Sequence, residues 1–146
     1  MKVTNRQPGW YLTALLIGGA GLAMAGCSAG GDDLAPVAGR VTVGGQPLTT
    51  GSVCLRPDAS RGNKSQHQPT GAIDAQGHFA VQVPPARKGA PPGWYKVVIT
   101  ALDDPQPGKP LKSFIDLKYA GENTTPLKVE VIANPEAGRY DFDLTR

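Results

Sequence analysis

Trp94-Tyr95-Lys96-Val97-Val98-Ile99-Thr100-Ala101-Leu102 settles the fold class. Tyr95, Val97, Ile99 and Ala101 fall on one side of a period-two pattern, and Trp94, Lys96, Val98 and Thr100 on the other. β-Branched and aromatic residues in that alternation form a strand with one face on a core. Pro92-Gly93 turns the chain into it, and a Pro-rich stretch from Asp103 to Pro110 ends it. The same pattern recurs on both sides. Val37, Gly39, Val41 and Val43 alternate with Ala38, Arg40 and Thr42, and the paired glycines Gly44-Gly45 then mark a turn. Ser52 to Arg56 reads as a strand stopped by Pro57, and Thr70 to Ile73 as a short one. Asp74-Ala75-Gln76-Gly77 reads as a tight turn, with glycine supplying a positive φ. Phe79, Val81 and Val83 alternate up to Pro84-Pro85. From Pro84 to Gly93 four prolines and two glycines leave no strand or helix expected. Leu127, Val129 and Val131, then Tyr140, Phe142 and Leu144, supply the last two alternating runs. Lys112 to Ala120 fits neither the strand nor the helix period. About seven short strands joined by Gly/Pro turns predict an all-β domain over residues 37–146, a single antiparallel Greek-key β-sandwich.

The N-terminus has a different composition. Lys2 and Arg6 precede an uncharged run from Trp10 to Ala25 that is rich in leucine, and small residues lead to Cys27. A basic start, an apolar middle and small residues at the end make a secretory signal. Met24-Ala25-Gly26-Cys27 resembles a lipobox, the cleavage site of bacterial lipoproteins. On that resemblance residues 1–26 are a lipoprotein signal peptide, and Cys27 becomes the first mature residue with lipid on its sulfur. The alternatives are a signal cut after Ala25 or Gly26 without lipid, and a spanning anchor. A spanning helix needs about 20 apolar residues, and this run is shorter and broken by Gly18, Gly19 and Gly21. All three place the rest of the chain outside the cytoplasm. Ser28 after the cysteine, where no Asp stands, implies sorting to the outer membrane under the rule known for many bacterial lipoproteins. Residues 27–36 read as a lipidated N-terminus and short tether, which reaches about 30 Å at full extension.

Length and charge bound the remainder. Residues 27–146 suffice for one domain with its own core. Both charges of the leader are positive, so beyond it cations and anions nearly balance, and the pI near 9.0 says little about partners. No basic cluster suggests nucleic acid. The chain has two cysteines. With Cys27 assigned to lipid, Cys54 has no partner in the chain and reads as an inert thiol facing away from the core.

The run of short motifs resembles a family. Gly39-Arg40-Val41-Thr42-Val43 with Gly45-Gln46-Pro47-Leu48 is similar to the opening strand and G-x-P-L turn of carboxypeptidase-regulatory-like, or transthyretin-like, β-sandwiches of small bacterial lipoproteins. Thr70-Gly71 followed by Asp74-Ala75-Gln76-Gly77-His78-Phe79 is similar to their T-G…D-x-x-G-x-F hairpin. Pro92-Gly93-Trp94-Tyr95-Lys96-Val97, Lys118-Tyr119 and the last two strands continue the likeness. Ile115-Asp116-Leu117 departs from the Ile-Pro often found there. The resemblance implies the sandwich fold, and Tyr95 is expected to bury its ring and bond its hydroxyl at a sandwich edge.

Chemistry is sparse. His67 and His78 lie in different segments, and a zinc site needs three or four ligands. Asp103, Asp104, Asp116, Asp141 and Asp143 show no spacing of a calcium loop. Transthyretin-like folds include a ureide-hydrolysing enzyme with a Tyr-Arg-Gly-Ser tail, whereas this chain ends Asp143-Leu144-Thr145-Arg146. No nucleophile elbow occurs. The expectation is a non-enzyme without a cofactor or metal, joined to the membrane through lipid on Cys27. Loops 57–69 and 103–111 would meet an envelope protein. The alternative is a glycan-binding module using Trp94, whose ring could stack on a sugar unless the Pro-rich loop 84–93 covers it.

Overall fold

The computed structural model describes residues 33–146. Cys27, the signal peptide and most of the tether lie outside the described residues. The ten strands are β1 (Ala38–Val43), β2 (Gln46–Pro47), β3 (Ser52–Pro57), β4 (Thr70–Ala72), β5 (His78–Ala80), β6 (Gln82–Val83), β7 (Arg87–Lys88), β8 (Gly93–Thr100), β9 (Lys128–Val131) and β10 (Phe142–Leu144). Two short 3-10 turns, Ala59–Arg61 and Leu117–Ala120, are the helical elements among the described residues. One sheet has the order β10-β1-β2, with β5 also on β1, and the other runs β7-β6-β4-β3-β8-β9. Between them lies one continuous core, in which Val41, Val53, Leu55, Tyr95, Val97, Ile99, Val131 and Leu144 are almost fully buried. Each large apolar side chain so placed contributes about 1.5–3 kcal/mol relative to exposure. This is a β-sandwich, as the alternation predicts.

The longest strand, β8, lies next to the edge strand β9 in the larger sheet, antiparallel to β3 on one side and β9 on the other. Its predicted inner face is the observed one. Val98, on the opposite face, is buried as well. β3 and β8 are neighbours although four strands separate them in the chain, so the connection crosses between the sheets. The crossing falls within Phe79–Val83. β5 pairs with β1 in the smaller sheet, and two residues later β6 pairs with β4 in the larger. Gly71 on β4 makes that close passage possible, because a Cβ there would stand 2.3 Å from the Ala80 carbonyl oxygen.

The structure differs from the sequence reading in several places. β1 and β10 pair in parallel, with Val41 opposite Phe142 and Val43 opposite Leu144, so the sandwich is not wholly antiparallel. Alternation reports which face is buried and not which way a strand runs. Strands of three residues or more number seven, as expected, and β2, β6 and β7 add two residues each. β7 lies in the stretch where no strand was expected: Arg87–Lys88 folds back on Gln82–Val83 around the two prolines. Ala35, assigned to the tether, is 4% exposed and exchanges hydrogen bonds of 2.8 and 2.9 Å with Ala90. Segment 112–120, which fits no period, is a loop ending in the second 3-10 turn and pinned by buried Ile115 and Tyr119.

The carboxylates latch the last strand. The backbone N–H of Arg40 donates to Asp141 Oδ1 at 2.8 Å, and the Thr42 hydroxyl donates to Asp143 Oδ1 at 2.6 Å. The Thr42 hydroxyl and the Gly45 N–H hold the Asp143 carboxyl below the ordinary carboxylate range. Their work is structural, which fits their lack of calcium-loop spacing.

Candidate functional site

Two surfaces stand out, at opposite ends of the sandwich. The first is built on loop 57–69. Asp58 is buried, and its Oδ1 accepts from the Ser60 backbone N–H at 3.1 Å and from the Ser60 hydroxyl at 2.5 Å, which caps the first 3-10 turn. The Ser60 hydroxyl is the main cause that lowers the Asp58 pKa. Burial opposes it, and the charges of Lys128 and Lys96 assist. The Asp58 backbone N–H donates to the Trp94 carbonyl at 2.9 Å, and Asn63 Nδ2 donates to the same oxygen at 2.8 Å. Asn63 Oδ1 in turn accepts from the Ser65 N–H, and the Ser65 hydroxyl from the His67 N–H. The loop is thereby fastened to the start of β8.

That arrangement sets Arg61 over Trp94, with Cζ 4.1 Å from the ring centroid. Trp94 is half-buried, and Arg61 of loop 57–69 lies over its ring. An open cleft of about 520 Å³ runs between Trp94 and Pro91–Gly93 on one wall and Arg61–His67 on the other. Tyr95 beside it is fully buried, and its hydroxyl donates to the Pro91 carbonyl at 2.8 Å, as its place at a sandwich edge predicts.

The second surface is segment 102–117. Leu102 bridges to Ser113, the Asp103 N–H donates to the Lys112 carbonyl at 2.8 Å, and the Phe114 N–H donates to the Ala101 carbonyl at 2.9 Å. Buried Ile115 ties the base to the core. Leu102 (47% exposed), Leu111 (56%), Phe114 (45%) and Leu117 (67%) are the exposed large apolar side chains among the described residues. All four belong to this one segment. Phe114 and Arg146 edge two adjoining depressions, of about 160 and 400 Å³. Next to them the Tyr119 hydroxyl meets Thr145 Oγ1 at 3.0 Å and accepts from the Thr145 N–H at 3.1 Å, which draws its pKa down.

The other sequence candidates stay apart. His67 is in the cleft, whereas His78 is on β5 with Asp74 Oδ2 at 3.6 Å. Cys54 is half-buried and free, on the outward-facing side of β3. Among the described residues no three His, Cys, Asp or Glu side chains gather as metal ligands would, and no helix is long and apolar enough to cross a membrane. Sequence reasoning singled out Trp94 but not Arg61, since no spacing signals a stack between a loop and a strand. For the apolar segment a signal existed: Phe114, Ile115, Leu117 and Tyr119 fit no period because only Ile115 and Tyr119 face inward.

No protein-family model matches the chain, and comparison with the curated proteins and with the solved structures finds no match in either.

Proposed function

We propose that this is an exported, lipid-anchored, non-enzymatic protein of the cell envelope, of the transthyretin-like kind, whose sandwich docks another envelope protein. One observation supports docking most directly: the exposed large apolar side chains of the described residues converge on Leu102, Leu111, Phe114 and Leu117. A contiguous exposed apolar patch marks an interaction surface, and these four side chains lie within sixteen residues of one another in the chain. Placement agrees with an anchor at the other end. Ala35, where the chain joins the fold, pairs with Ala90 just before β8 begins, and Leu102 follows the far end of β8. An eight-residue strand spans about 26 Å, so a domain tethered through Ala35 holds segment 102–117 away from the membrane. Support for the lipid is the basic, apolar and small-residue order ending at Cys27.

Sugar binding at Trp94 is the second reading. The cleft beside the indole favours it, but Arg61 occupies a ring face that a sugar would need. Photocrosslinking from position 117 in intact cells tests docking. The expected result is one reproducible adduct that is lost in Phe114→Asp and Leu102→Asp and absent when the probe sits at Ala72 on exposed β4. Adducts that are diffuse, or unchanged by these substitutions, refute it.

A further inference from the structure

We propose that the cleft between Arg61 and Trp94 binds the phosphate of an anionic lipid headgroup in the membrane that holds the anchor; this rests on the anchored reading above. Three observations converge on it. The walls of the cleft carry Arg61 and Lys64 but no carboxylate. Glu122, across the loop on a neighbouring depression, is 3.9 Å from Lys96. Arg61 Cζ lies over the Trp94 indole, 4.1 Å from the ring centroid. A stacked guanidinium keeps its in-plane N–H groups available, and the planar fork suits two oxygens of a phosphate. Last, the position is right. Pro91–Trp94 forms one wall and directly follows Ala90, which pairs with Ala35. With lipid on Cys27, the eight residues Cys27 to Leu34 span at most about 28 Å. The cleft therefore lies at the end of the domain that the tether draws toward the headgroups. A half-buried tryptophan there matches the preference of that side chain for the membrane–water boundary.

The two surfaces then divide the labour: the proximal end orients the domain on the lipid, and the distal end presents segment 102–117. A single lipid tether leaves orientation free, and a second, electrostatic contact fixes it. Each basic side chain near an anionic surface favours docking by roughly fivefold, so the loss of both favours undocking by about 25-fold.

The test uses the mature protein isolated from its own cells and reconstituted into vesicles of phosphatidylcholine, alone or mixed with phosphatidylglycerol brominated near the headgroup. Trp10 leaves with the signal peptide, so Trp94 is the one tryptophan remaining. Its emission is expected to be quenched in the mixed vesicles, with the quenching reversed by high salt and largely lost in Lys64→Ala and in Arg61→Ala/Lys64→Ala. Lys64→Ala leaves the Arg61 stack in place, and each variant is compared with itself in unbrominated lipid. Quenching that is equal in neutral brominated lipid, or unchanged in the double variant, overturns the proposal. So does complete release by millimolar inorganic phosphate, which marks a site for free phosphate. Failure of the anchor looks different: the protein then floats with neither vesicle.

Discussion

Alanine at position 71 separates two opposite expectations. Gly71 has no left-handed φ, and at such sites alanine usually stabilises a protein by about 0.4–1 kcal/mol through the unfolded chain. Here the added Cβ would stand 2.3 Å from the Ala80 carbonyl oxygen and 2.7 Å from its carbon. Both are backbone atoms, so no side chain can swing aside. Ordinary contact needs the strands to part by about 1 Å, and such overpacking costs roughly 1–3 kcal/mol. The separation falls where the chain passes from β5 to β6, and it strains the pairs Val53–Gly71 and Thr70–Gln82. Gly71→Ala is therefore expected to destabilise by about 1–2 kcal/mol, which lowers the urea midpoint by roughly 0.5–1 M. Ala72→Thr, one residue on and facing water, is expected to stay within about 0.5 kcal/mol of the parent. A midpoint for Gly71→Ala at or above that of the parent contradicts the sheet crossing described.

Three further outcomes are expected. Tyr95→Phe removes the buried hydroxyl that donates to the Pro91 carbonyl and costs about 1–3 kcal/mol in urea unfolding; an unchanged midpoint would show the bond to be idle. Asp58, Asp74, Asp116 and Asp143 all have pKa values lowered from 3.8, each mainly by a hydrogen bond to the carboxylate. Their contribution is complete above the unfolded value and disappears as pH falls through the lower folded values, so stability declines on acidification below about 4. Asp143→Asn flattens part of that decline, and identical acid titrations of the two proteins would count against the latch on β10. Cys27→Ala is expected to abolish labelling by radioactive palmitate while leaving the circular dichroism of the sandwich unchanged; wild-type labelling of the variant refutes lipid attachment at that sulfur.

How far the fold could be read from the chain depended on what each residue reports. Tyr95, Val97 and Ile99 signal a buried face because period two is a local consequence of the pleat, and the structure places them there. The Gly44-Gly45 and Asp74–Gly77 turns were legible because positive φ demands glycine, and Gly77 has a φ of 84°. The direction of β10 was not, since Phe142 and Leu144 present the same face whichever way the strand runs. β7 was hidden because a two-residue strand has no period, and prolines on either side argue against it. Trp94 was legible as an aromatic on the outer face. Its cover was not, because Arg61 reaches it through a loop fixed by Asp58 and Asn63, contacts that no local pattern encodes. The exposed segment left a trace only as a failure of pattern between Lys112 and Ala120.

Intact mass and N-terminal fragmentation of the protein taken from its own membranes test the central claim, the acylated cysteine that fixes the domain outside the cytoplasm. The account predicts a chain that starts at Cys27 and carries diacylglycerol on the sulfur. A chain that starts at another residue with no acyl mass would contradict it.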